Sequence, residues 1–77
     1  MRKRKEEIKQ LLEAELPAGA QLMPLSALAR FLGRDRRTAA YYARGLHRQQ
    51  VGRQTCYYVD ELAELMARKE LDAKEGS

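Results

Sequence analysis

Seventy-seven residues with 15 Lys and Arg, 11 Asp and Glu, one His and one Cys make a single small domain of formal charge +4; its limited core makes stability depend on efficient packing or association. Cys56 alone forms no intramolecular disulfide and, with His47, no Cys/His metal site, so neither metal nor cofactor is expected and a reducing cytoplasm fits best. Glu6, Glu7, Lys9 and Gln10 follow the basic start Arg2-Lys3-Arg4-Lys5 where a signal peptide needs an apolar stretch, and no run approaches the roughly 20 apolar residues of a membrane span.

Arg2 to Leu16 carries Ile8, Leu11, Leu12 and Leu16 at three-and-four spacing, which predicts an amphipathic helix ended by Pro17. Pro17 to Leu22 has breakers and no period and reads as a connection. A second helix follows, with Pro24 in its first turn, an apolar stripe of Leu25, Leu28, Ala29 and Leu32, and Gly33 as its stop. Asp35 is the expected N-cap of a third helix that turns Ala39, Tyr42, Ala43 and Leu46 inward and Arg36, Arg37, Ala40, Tyr41 and Arg44 outward, closing near Gly45. His47 to Val51 and Thr55 to Val59 flank Gly52-Arg53, a pair suited to a tight hairpin whose first central residue takes positive φ. Alternation places Tyr57 and Val59 inward and Cys56 and Tyr58 on the other face. Asp60 is the expected cap of a last helix whose Leu62, Leu65 and Met66 cover the hairpin; Leu71 to Ser77 has too little apolar content to be read as ordered.

Charge is distributed unevenly over these elements. From Arg30 to Arg53 there are seven arginines (30, 34, 36, 37, 44, 48 and 53) against the single acid Asp35, a local charge of +6, while the rest nearly cancels. The five lysines all lie at or before Lys9 or at and after Lys69, so the patch is arginine alone. Planar bidentate donors suit phosphate and the edge of guanine better than they serve solubility, which favours a nucleic-acid partner. Arg30 and Arg34 are as well placed to pair with the acidic last helix or to touch phosphate as to read a base. Tyr41 has two readings, a hydroxyl donating to phosphate or a ring packed on a neighbouring stem. The hairpin offers only Tyr58 on its open face, too little for a single-stranded RNA platform. His47 and Cys56 lack a third orienting group and an oxyanion site, so no enzyme is expected, and Asp60, Glu61 and Glu64 read as a helix start favoured by its dipole.

Three runs, Leu25-Ser26-Ala27-Leu28-Ala29-Arg30-Phe31-Leu32-Gly33, Arg37-Thr38-Ala39-Ala40-Tyr41-Tyr42 and Tyr57-Tyr58-Val59-Asp60-Glu61-Leu62, resemble the winged helix-turn-helix domains of the MerR and phage excisionase type over about half the chain. The resemblance implies a recognition helix in the major groove, with contacts from Arg36, Arg37, Tyr41 and Arg44, and a wing on the flanking backbone or minor groove through Arg53; Arg34 and Arg48 extend the candidate DNA-binding set. Ala40 stands where MerR-type proteins usually carry an arginine, and no long dimerisation helix follows Leu71, so the chain looks more like an excisionase or a small phage or plasmid regulator than like a ligand-sensing protein.

The expected architecture is mainly α with a small β-hairpin, a winged helix-turn-helix with an extra N-terminal helix: residues 1–16 the amphipathic helix, 23–71 the DNA-binding domain and 72–77 a tail. The expected function is sequence-specific binding of double-stranded DNA, as an excisionase-like architectural factor or a small transcriptional regulator of a mobile element, in the cytoplasm of a bacterium, nucleoid-associated or phage-encoded. Homodimeric or cooperative binding on DNA is a natural supplement for so small a module. The alternative is a protein-interaction adaptor that keeps the scaffold and docks its N-terminal helix on a partner such as a recombinase or a polymerase. Membrane-surface attachment through the basic start is opposed by its four acids.

Overall fold

In a computed structural model, which describes residues 2–76 and the side chains of residues 4–69, the chain forms four helices and one three-stranded antiparallel sheet. The elements are α1 (Arg2–Glu13), β1 (Leu22–Pro24), α2 (Leu25–Leu32), α3 (Arg36–Tyr42), β2 (Arg48–Val51), β3 (Gln54–Tyr58) and α4 (Val59–Gly76). This small α+β architecture is compatible with a mainly helical fold carrying a hairpin, and it adds a strand to it.

That strand is β1, in a stretch read from sequence partly as a connection. Its three residues pair with β3 in the register Leu22↔Tyr58, Met23↔Tyr57 and Pro24↔Cys56, giving the strand order β1-β3-β2. Pro24 has no N–H to give a ladder and sits where a sheet tolerates that, at the end of an edge strand. It also occupies the N-cap position of α2, one place before the first helical turn to which it was assigned. Because β3 is the central strand, Cys56 is buried although it lies on the face away from Tyr57: Pro24 and Gln49 flank it in register. The face assigned away from the core is thus more covered than the hairpin alone suggests, with Cys56 buried and Tyr58 half-buried.

Local chemistry fixes the helix ends. At the end of α2, Gly33 takes φ 69, and Gly33 and Arg34 donate to the carbonyls of Arg30 and Ala29, a Schellman closure that satisfies two end-of-helix acceptors. Asp35 then caps α3, accepting at Oδ1 from the Thr38 backbone N–H at 2.8 Å. Ala39 and Ala43 are fully buried; their small side chains let α3 approach the buried Leu28 and Ala29 of α2 closely. Gly52, at φ 62, opens the two-residue turn between Val51 and Gln54, as the hairpin reading requires.

The core gathers Ile8 and Leu12 of α1, Met23 of β1, Tyr57 of β3, Val59, and Leu62, Ala63 and Met66 of α4 with the α2–α3 residues. The principal partner of α4 is α1, with β3 touching it less, so the expectation that α4 mainly covers the hairpin is corrected. The stripe of Ile8 and Leu12, one turn apart, needs an apolar partner, and α4 offers the longest one. Leu11, on the next face, stays 54% exposed and Leu16 is half-buried. α1 itself ends at Glu13, and Glu15 and Leu16 close the chain in tighter turns onto Leu12 and Glu13 before Pro17. α4 begins at Val59, so Asp60 lies inside its first turn instead of capping it, and the helix runs to Gly76 through most of the segment read as a tail. The side chains of that segment, and Ser77 altogether, lie outside the described residues.

Candidate nucleic-acid interface

The seven arginines are all exposed, and among the described residues none of them is in an ion pair. The described ion pairs lie elsewhere. Lys5 and Lys9 of α1 approach Asp60 at 3.4 and 3.6 Å, and His47 places Nδ1 3.0 Å from Glu61 Oε2 while its backbone N–H donates to Glu61 Oε1. A carboxylate only accepts, so Nδ1 carries the proton in that contact. The acids at the start of α4 therefore hold α1 and the base of the hairpin, and among the described residues neither Arg30 nor Arg34 pairs with the last helix. Asp35, the one acid of the arginine segment, is turned to the backbone: hydrogen bonds from Thr38, its side chain first and its backbone N–H second, hold the carboxyl below its usual range.

Each candidate residue has a definite place. Arg34 lies in the α2–α3 turn, Arg36 and Arg37 in the first turn of α3, and Tyr41, 65% exposed, in its last. Arg48 opens β2 opposite Tyr57, and Arg53 is the second residue of the hairpin turn. Every residue of β2, an edge strand of the sheet, is exposed.

Two of these residues are joined across the fold. Arg36 and Arg53 line one concavity of about 180 Å³, together with Pro24, Leu25, Ser26, Gln54 and Thr55. Two others are joined locally. α3 ends at Tyr42, so Arg44 lies in the turn beyond it and not on the helix face to which it was assigned. Its guanidinium folds back over the Tyr41 ring, 4.0 Å from the centroid, and Nη1 donates to the Tyr41 carbonyl at 3.0 Å. The Tyr41 ring packs under the Arg44 guanidinium while the residue stays 65% exposed, and the stacked cation also sits favourably at a helix C-terminus.

Arg44 is thus set apart from Arg36 by the length of α3, roughly 10 Å at the helical rise. It lines a second concavity with Tyr42, Leu65, Arg68 and Lys69, and Lys69 Nζ stands 4.2 Å from the Tyr42 ring centroid. Sequence reasoning missed Arg68 and Lys69. They belong to an acid-rich segment whose net charge is negative, but they fall one turn after Leu65 and Met66, and that helical spacing was the available signal.

No helix among the described residues is long and apolar enough to cross a membrane. Among the same residues no group of three His, Cys, Asp or Glu is placed to hold a metal ion. Comparison with protein-family models, curated proteins and solved structures returned no match to this chain.

Proposed function

We propose that this chain binds double-stranded DNA as a winged helix-turn-helix, with α2 and α3 as the helix pair and β2–β3 as the wing. The observation that carries the reading is the state of the arginine segment: seven exposed guanidiniums, none ion-paired among the described residues, and its single acid spent on a helix cap. Such a concentration of like charge gains most from a polyanion, and arginine forks match both phosphate and guanine. In this reading α3 enters the major groove with Arg36, Arg37 and Tyr41, the Tyr41-supported Arg44 lies at its trailing end, and Arg53, Arg48 and Arg34 position the backbone. Action as an excisionase-like architectural factor or a small regulator of a mobile element follows the family resemblance.

An adaptor docking through the N-terminal helix is less well supported, because Ile8 and Leu12 are consumed by the chain's own core. Measuring duplex affinity against salt tests the DNA reading. With four to six phosphates neutralised, log affinity falls against log salt with a slope of roughly −4 to −5, and Arg37→Glu removes most of the binding. A flat dependence between low and physiological salt defeats the proposal.

A further inference from the structure

We propose that Arg36 and Arg53 act as one clamp on a single phosphodiester of the DNA backbone, seated in the concavity between the start of α2, the first turn of α3 and the β2–β3 turn. The inference rests on the DNA-binding reading and sharpens it, for it moves Arg36 from reading a base edge to gripping the backbone.

The two guanidiniums come from elements far apart in sequence, yet they line the same concavity of about 180 Å³. No carboxylate is among its lining residues, and neither arginine is ion-paired among the described residues. Two like charges facing one space repel unless water or an anion separates them, and the space is roughly ten times what one water needs. The remaining polar groups select an acceptor. Thr55 gives its hydroxyl proton to Gln50 Oε1 at 3.2 Å and has no donor left. Ser26 is half-buried, and its hydroxyl has no protein partner among the described residues, so it is free to donate. Gln54 contributes an amide that donates as well. Pro24 and Leu25 supply an apolar wall, which lowers the local dielectric and strengthens charge-assisted hydrogen bonds to an anion. A concavity lined by donors from both the helix pair and the hairpin fits a phosphodiester running between helix and wing.

The test is a double-substitution cycle read by fluorescence anisotropy on a 20-base-pair random-sequence duplex at several salt concentrations. Arg36→Ala and Arg53→Ala are each expected to weaken binding roughly tenfold whatever the sequence. The double variant is expected to be little weaker than either single one, with a salt slope shallower by about one unit, the value of one phosphate. On a duplex carrying a binding site selected from random sequence, which fixes the register, placing one neutral methylphosphonate linkage at successive positions should find a single site where both substitutions lose their effect. Arg36→Gln and Arg53→Gln, which keep side-chain bulk on an exposed surface, repeat the cycle with folding checked by circular dichroism. Multiplying effects with a slope loss of about two units, or a relaxed preference at one base pair in Arg36→Ala, overturns the clamp while the DNA reading stands. A wild-type protein with no salt-dependent binding overturns both.

Discussion

The α1–α4 layer and the α3–hairpin region carry comparable numbers of basic groups, but they handle them in opposite ways. In the first, Lys5 and Lys9 converge on Asp60 beside a buried seam of Ile8, Leu12, Leu62, Ala63 and Met66. In the second, the guanidiniums stand in solvent around a hairpin whose β2 strand buries nothing. Two lysines beside the packing surface share a carboxylate, and the arginines away from it are in no ion pair among the described residues. The contrast teaches that the two ends of this small domain are built under different constraints, cohesion at one and availability at the other.

The strongest way to break that contrast is through the seam. Leu12→Ala removes a fully buried side chain and is expected to cost about 2–5 kcal/mol, a large share of the stability of a domain this size. Leu11→Ala, at an exposed neighbour, should change the urea midpoint by no more than about 0.5 kcal/mol equivalent. Equal losses at the two positions would mean that α1 packs on a different face.

An intermediate effect is expected at Asp35. Its carboxyl is held low in the folded state, so its stabilising contribution is complete above the unfolded value of about 3.9 and disappears as pH falls through the folded one. Asp35→Ala should therefore melt below the wild type at pH 7, while the difference closes in acid. Thermal melts at pH 7 and at about pH 3 measure it; a gap that stays constant would show that the carboxylate's charge is not what caps α3.

The smallest effect belongs to the ion pairs. Lys9→Ala, which leaves Lys5 beside an Asp60 that is 59% exposed, should cost about 0–1 kcal/mol and lose even that in high salt. Paired urea titrations at low and high salt distinguish this from a packing loss, which salt would not erase.

Features decided by one residue's own chemistry were legible from the sequence. Gly33, Asp35 and Gly52 each impose a backbone state or a cap through an interaction within a few residues, and all three act as their residue types suggest. Features decided across the fold were not. β1 is three residues ending in proline, too short to show alternation, and it becomes a strand only because β3, more than thirty residues away, supplies its ladder. The α1–α4 pairing is hidden for the same reason: an apolar stripe announces that it will be covered without naming the cover. At the candidate site, composition located the basic surface, yet it did not foresee that α3 stops at Tyr42, so that Arg44 folds back on Tyr41. The meeting of Arg36 with Arg53 was equally invisible, since it depends on how the hairpin is set against the helices.

Cys56, the chain's only cysteine, is shut into the middle of the sheet at 4% exposure. A thiol so placed reacts with an alkylating reagent only when the strands around it part, because the thiolate must meet the reagent in solvent. Its labelling rate is consequently a clock for opening of the β1-β3-β2 sheet. Duplex DNA spanning helix and wing should slow that clock, whereas a ligand gripping the wing tip alone should leave it running at its former pace.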